Sequence, residues 1–403
     1  MPLFLNMSNI KNILGKNYNG EINIPGDKSI SIRALLLTNF FDGDYEIKNI
    51  NLGEDTKTAI KCMNDLYKYT KICEKEFTNN YKCNIKPLTL NCENSGTTMR
   101  LLAGLLSSIY HCTKLRFILK GDKSLNSRPM DRITIPLQKM GFDIYCENNK
   151  SPIYINFTGK HKHIKNFTYA SNISSAQVKS ALQIAAFFSN IKLNYEEPYT
   201  SRNHTEIMLK FLKNDSSNNK SKNIYIVPGD ISTASTFITN AIIQKVLYNN
   251  NSNIKMKNVG INDTRIGFLN AIKKMGIDFN IKNVKYLQNE KTADIYFNTK
   301  KLTEYNGIKI EKKDVPSMID EIPLLVLLSF FAKTNSEFLG IEELRHKESD
   351  RINAIMDLSE YLSKNNKKAL TRLQKSTDHR ILMILKILHI NNIKNKSYLN
   401  ISI

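Results

Sequence analysis

Apolar residues return at helical spacing in several stretches of the chain. In RPMDRITIPLQKMGFDI (128–144) the series is Ile133, Leu137 and Met140; in TRIGFLNAIKKMGIDF (264–279) it is Leu269, Ile272 and Met275. Both stretches open on a basic residue, close on Met-Gly and continue into a short alternating run, so the chain carries an internal repeat. SRNHTEIMLKFLK (201–213) and ESDRINAIMDLSEYL (348–362) begin with polar capping residues and continue as amphipathic helices. Between them lie strand-like runs: KLRFILKG, SPIYINFTG, NIYIVPGD and ADIYFNTK. This alternation predicts an α/β (α+β) chain built from a repeated βα unit. The Asn-rich stretches 214–223 and 248–258 lie near a candidate domain boundary, and the polar segment 364–377 offers no strand.

Composition narrows the class. A chain of 403 residues suggests two or three domains, and 41% hydrophobic with 24% charged residues excludes a mainly disordered protein. The longest apolar stretch, Ile322 to Ala332, is interrupted by Pro323 and Ser329 and falls short of the ~20 residues of a bilayer span, so no membrane association is expected. The start, MPLFLNMSNIKNILGK, lacks a basic region followed by a long apolar run, which points to a cytoplasmic protein. Six cysteines (Cys62, Cys73, Cys83, Cys92, Cys112 and Cys146) show no CxxC spacing, and His111 stands alone beside Cys112. The expectation is six free thiols and no metal site. The net charge of +21 admits a nucleic-acid partner, a small polyanionic substrate, or plain compositional bias toward Lys, Asn and Ile. With no Trp and no interleaving of aromatic and basic residues, no nucleic-acid partner is expected.

Candidate chemistry gathers at helix starts. PGDKSISIRALLL (25–37) places Ser29 and Ser31 at a helix N-terminus, with Lys28 and Arg33 adding formal charge to its free N–H groups, an arrangement that binds phosphate or carboxylate. Its GDKS resembles the tail of a P-loop, but Glu21 stands where the first glycine of that motif belongs. ENSGTTMRLLAGLL (93–106) repeats the device, with Gly96 allowing close approach of a ligand and Thr97 and Thr98 opening the helix; SSAQVKSALQIAA (174–186) repeats it again. Any one of these is an ordinary capped helix. Several together suggest a site for an anion. IDEIP (319–323) places Asp320 and Glu321 before an apolar helix, and RHKESDRI (345–352) gathers Arg345, Lys347, Glu348, Asp350 and Arg351. Asp320 and Glu348 form a general acid/base pair if folding brings both to one cleft with the cations.

PGDKSISIRALLL, NSGTTMRLL, RPMDR, SSAQVKSAL, SRNHTEIML, PGDIS, NDTRIG, IDEIP, ELRHKESDRI and DHR, in this order, resemble the 3-phosphoshikimate 1-carboxyvinyltransferases over about residues 20 to 380. The resemblance implies two similar domains, each of three inverse βαβαββ units, with the active site in the cleft between them. It sets the domains at 1–25 plus 247–403 and at 26–246, the last unit incomplete. The implied reaction moves the enolpyruvyl group of phosphoenolpyruvate to the 5-hydroxyl of shikimate 3-phosphate, with no cofactor and with the protein a monomer. Carried over residue by residue, Lys28, Ser29, Arg33, Ser175, Ala176, Gln177, Ser201, Arg202, Asp320 and Lys347 match shikimate-phosphate ligands. Lys28, Asn94, Gly96, Arg128, Gln177, Arg351 and Arg380 match the phosphoenolpyruvate site. Asp320, Glu348 and Lys28 match the catalytic groups.

The sequence departs from the family pattern in places. Ile32 stands where His or Asn is usual, and Glu93 where Gly is common. Arg351 and Arg380 are closer together than the family has them, and a glycine-containing strand hairpin is missing between them. The apolar Ile381, Ile384 and Leu388 are therefore expected to be less covered. KSYLNISI resembles the family's ending, which makes Lys396 a match for a phosphoenolpyruvate-binding lysine. The sister family of UDP-N-acetylglucosamine enolpyruvyltransferases has a catalytic cysteine where this chain has Lys123; a degenerate paralogue that binds the sugar phosphate without turnover is the other rival. GDKS, SAQVK, RNHTE and NDTR are signatures of the glyphosate-tolerant branch, class II.

Overall fold

The internal repeat corresponds to two sheets of one plan. In the computed structural model, which describes residues 18–79, 86–110, 113–215, 223–393 and 401–402, one sheet runs in the order Leu88–Asn91, Phe117–Lys120, Lys150–Ile155, Ile144–Glu147. The other runs Asn19–Asn23, Asn253–Gly260, Glu290–Asn298, Asn280–Leu287. In each, the first two strands are parallel and the last two form an antiparallel hairpin on the second. The helix before each hairpin, Asp131–Lys139 or Gly267–Lys274, ends in the Met-Gly pair. Gly141 at φ 93° and Gly276 at φ 87° take the left-handed turn that ends a helix and disfavours any side chain.

The chain divides into two units, Lys28–Val227 and the discontinuous Met1–Asp27 with Pro228–Ile403. The expected return at 246/247 is thus displaced to 227/228. The reason is packing: helix Ile231–Tyr248 buries Ala234, Phe237, Ile238 and Ile242 in one core with Ile22, Met256 and Phe268. The Asn-rich stretch near 253 supplies a central strand, so its polarity reflects composition and marks no boundary. The same tripeptide, Pro-Gly-Asp, stands at both crossings. Gly26 bridges Gly229 in antiparallel fashion, the Asp27 N–H donates to Pro228 O and the Asp230 N–H to Pro25 O, each at 2.8 Å.

In the unit Lys28–Val227, helix Gly96–Ile109 is buried on almost every face and packs on helix Ala176–Phe188. A Cβ on Gly104 would lie 2.2 Å from Ala181 O, so only glycine permits this approach. Close packing brings the first turns of both helices together, which positions the site.

In the other unit, 364–377 folds as helix Lys367–Gln374, capped by Asn366, between helices Arg351–Lys364 and His379–Ile390. The expected exposure behind Arg380 is overturned: Ile381, Ile384 and Leu388 are all buried, because this short helix and helix Ile322–Ser329 pack against theirs. A groove of about 590 Å³ lined by Tyr361, Leu370, Leu382, Leu385 and Ile390 is what remains. Ile401–Ser402 pairs in parallel with Ser336–Phe338; Lys396 lies outside the described residues. Among those residues, no helix is long and apolar enough to cross a membrane, and Cys62, Cys73, Cys92 and Cys146 are free thiols.

Candidate active site

The first group of site residues lies at helix starts in the unit Lys28–Val227. Lys28 opens helix Lys28–Leu37 and its Nζ pairs with Asp55 Oδ2 at 2.5 Å; Ser29 beside it is half-buried. Arg33 is buried: Nε donates to Thr205 Oγ1 at 2.7 Å, Nη2 to Ser180 Oγ at 2.9 Å and Nη1 to Ser29 O at 3.0 Å. It ties helices Lys28–Leu37, Ala176–Phe188 and His204–Asp215 into one bundle, a structural duty that the sequence does not reveal.

Around Gly96 two guanidiniums converge. Ser95 caps the helix by accepting from Thr98 N. Arg128 donates to Asn94 Oδ1, to Asn94 O at 3.4 Å and to Ser124 Oγ at 3.2 Å. Arg100 donates to Gln177 Oε1 at 2.5 Å, and Gln177 Nε2 donates to Thr97 Oγ1 at 2.9 Å. A Cβ on Gly96 would lie 2.9 Å from Arg100 Nη1 and 3.1 Å from Arg128 Nη1. Asn94, Gly96, Arg128 and Gln177 are therefore together, at a helix N-terminus that favours negative charge. Arg100 belongs to the same motif, yet nothing in the sequence sets it apart from an ordinary helical arginine.

Ser175 precedes helix Ala176–Phe188 with its hydroxyl not engaged in capping, and Ala176 is the first residue of that helix. Ser201 donates from N (2.7 Å) and Oγ (3.1 Å) to Glu197 Oε1. Buried Lys179 fixes the same carboxylate at 3.1 Å, reaches Glu206 at 3.2 Å and donates to Ser201 O at 2.9 Å. Arg202 is half-buried at the start of helix His204–Asp215.

The second group lies in the discontinuous unit and centres on Asp320. Three guanidiniums surround that carboxylate: Arg351 at 3.2 Å, Arg380 at 3.8 Å and Arg265 at 3.9 Å. Arg351, 1% exposed, also bonds Glu348 at 2.5 Å and Asp378 at 2.8 Å, so Asp320 and Glu348 share one arginine. Asp378 also caps helix His379–Ile390, just before Arg380. Burial works against the charge of Arg351, but Glu348, Asp378 and Asp320 outweigh it and raise its pKa. Lys347 is lowered, by burial first and by Arg351, with Asp320 opposing. Asp230 is pushed up to about 6, by burial and then by Asp27, against the pull of Arg380 and Arg265. The sequence does not disclose the parts played by Arg265, Glu321, Asp378 and Asp230, because each acts through a distant partner. Among the described residues, no three His, Cys, Asp or Glu side chains gather as a metal site requires.

Two units of one strand plan, each with cations at buried helix starts, have the fold of the enolpyruvyl transferases. The solved enolpyruvyl transferase of Streptomyces tendae shares it at TM-score 0.52 and 10% identity, covering 79% of this chain and 74% of that one. The solved EPSP synthase of Acinetobacter baumannii does so at TM-score 0.65 and 29% identity, covering 85% and 78%. The family model for EPSP synthase (3-phosphoshikimate 1-carboxyvinyltransferase) matches residues 14–390, and the chain belongs to that family. The 3-phosphoshikimate 1-carboxyvinyltransferase of Petrotoga mobilis is 38% identical, covering 84% of this chain and 80% of its own length. That of Crocosphaera subtropica is 35% identical, covering 96% and 89%.

Proposed function

We propose that this chain transfers the enolpyruvyl group of phosphoenolpyruvate to the 5-hydroxyl of shikimate 3-phosphate, releasing phosphate. The observation that carries the reading is the Asp320–Arg351–Glu348 cluster: two carboxylates on one buried guanidinium, in a chain of this family. Asp320 takes the proton of the attacking hydroxyl. Glu348, with Lys28, delivers a proton to the methylene carbon of phosphoenolpyruvate as the new C–O bond forms. The tetrahedral adduct then returns a proton from its methyl group to Glu348 and expels phosphate, which leaves with the proton held by Asp320, so both carboxylates are restored and atoms and charge balance.

Both substrates carry a carboxylate and a phosphate, and planar guanidinium forks suit both groups. Arg128, Asn94, Gly96, Gln177, Arg351, Arg380 and Lys396 hold phosphoenolpyruvate. Ser29, Ser175, Ala176, Gln177, Ser201, Arg202 and Lys347 hold shikimate 3-phosphate. Arg33, already bonded to Thr205, Ser180 and Ser29, joins them. The protein works as a cytoplasmic monomer without cofactor, away from membranes and nucleic acid, and the class II signatures make it tolerant of glyphosate. Phosphate release from the two substrates tests the reading. Asp320→Asn should lower turnover by about 100-fold or more while shikimate 3-phosphate still binds. Wild-type turnover in that variant refutes the assignment, and absence of turnover in the wild type favours the degenerate paralogue.

A further inference from the structure

Asp320 is followed in sequence by a carboxylate that the reaction does not use. Glu321 is fully buried, and an ionised carboxylate in such a place needs a counter-charge. Arg265, 3% exposed on its side chain, supplies it in the forked geometry: Nη2 donates to Oε1 at 2.8 Å and Nη1 to Oε2. The hydroxyl of Ser232, also fully buried, completes the cluster. It donates to Glu321 Oε1 and accepts from Arg265 Nη2 at 2.6 Å. The three residues come from three motifs far apart in sequence, NDTR, IDE and PGDIS, and all lie in one unit.

The nitrogen that bonds Glu321 Oε1 and Ser232 is also the one nearest Asp320. Arg265 Nη2 lies 3.9 Å from Asp320 Oδ2. A rigid cation is thus held beside Asp320 by groups that never meet substrate. We infer that Arg265, clamped by Glu321 and Ser232, is a positioning residue that sets the place and the ionisation of the Asp320 carboxylate. Lysine could not substitute, because a point charge on a flexible stem cannot hold both oxygens of Glu321 and Ser232 together. The inference rests on the reading of Asp320 as the proton acceptor.

A double variant separates positioning from mere structure. Arg265→Met with Glu321→Leu removes the buried pair as a whole, an exchange that such pairs often tolerate without loss of stability, whereas removing one partner leaves a buried charge. The expected result is a folded protein with near-wild-type melting and KM values within about threefold. Its kcat should fall about 10- to 100-fold, and the acid limb of its kcat/KM profile should move to higher pH, since Asp320 loses a neighbouring cation. Wild-type kcat and an unmoved acid limb in the folded double variant overturn the inference. Should that variant not fold, Arg265→Lys is measured by the same kcat and pH profile: a lowered kcat with a shifted acid limb supports the inference, and wild-type behaviour overturns it. Asp320→Asn is the control: if it keeps full turnover, the Asp320 reading falls and this inference falls with it. If it is inactive while the Arg265 variants behave as wild type, only the inference fails.

Discussion

Asp230 offers a test of the crossing between the units that needs no substrate. It and Asp27 occupy equivalent places in the paired Pro-Gly-Asp segments, and both are buried. Asp230 also caps helix Ile231–Tyr248, its Oδ1 accepting from Ser232 N at 2.9 Å. Burial and the neighbouring Asp27 push its pKa from 3.8 up to about 6, while Arg380 and Arg265 pull the other way. For an acid, a raised folded pKa means that the native state holds the proton more tightly than the unfolded chain does. Stability therefore falls as pH rises from about 4 through about 6, and the full cost is felt above that window. A carboxyl displaced this far costs up to about 3 kcal/mol once ionised.

Asp230→Asn keeps the shape and the capping oxygen, since Asn caps as well as Asp, and removes the charge. The shift already sets the attraction to Arg380 and Arg265 against burial and Asp27, so the variant should gain about 1–3 kcal/mol at pH 7.5. For a folding unit of about 200 residues that is roughly 2–10 °C in melting temperature. Urea or thermal unfolding of wild type and variant at pH 4.5 and pH 7.5 measures it, and titrating groups remote from Asp230 cancel in the difference. The variant should match the wild type more closely at pH 4.5 and exceed it at pH 7.5. A gap that is equal at both pH values, or a variant less stable at pH 7.5, refutes the reasoning.

Gly96→Ala should raise the KM for phosphoenolpyruvate about 5- to 30-fold in steady-state assays while that for shikimate 3-phosphate stays put. The new Cβ meets Arg100 and Arg128, both already held by neighbours, and such overpacking costs about 1–2 kcal/mol. Glu93→Gly should stabilise the fold by about 0.5–1 kcal/mol in urea unfolding. Glu93 sits at φ 45°, in the left-handed region, and its bond from Asn91 at 2.9 Å offsets only part of that strain.

Glu93 also shows how far the sequence could be read. A glutamate where the family resemblance leads one to expect glycine is visible in the sequence, but its consequence requires the backbone angle. The helix starts were legible because capping is local: Ser95, Asp350 and Asp378 each accept from a backbone N–H within three residues. Buried ion pairs leave no such local mark. Arg265 meets Glu321 across 56 positions and Arg351 meets Asp378 across 27, so neither partnership could be read from spacing. The crossing at 227/228 had a signal, the second Pro-Gly-Asp, but the Asn-rich loops nearby drew the boundary instead. The short helix Lys367–Gln374 buries only Ala369 and Leu373, too sparse a pattern to stand out from a polar loop.

The two groups of arginines differ in a way that net charge conceals. Arg351 is surrounded by Glu348, Asp378 and Asp320, so its charge is more than matched before any substrate arrives. Arg128 is held by Asn94 and Ser124, whose oxygens are neutral. Both guanidiniums are fixed by hydrogen bonds, and both therefore present their donors without the entropy loss of ordering a free side chain. Only Arg128 does so with no carboxylate bonded to it among the described residues. On this ground an incoming phosphate or carboxylate should gain more at Arg128 and the Gly96 helix start, where it competes with neutral oxygens, than at Arg351, where it competes with three carboxylates. The group around Gly96 thus offers positive charge held by neutral partners, and the cluster around Asp320 offers carboxylates held by cations, the pairing that the proposed proton transfers need. A chain charge of +21 predicts neither role, because both depend on which neutral or acidic neighbour each buried cation was given.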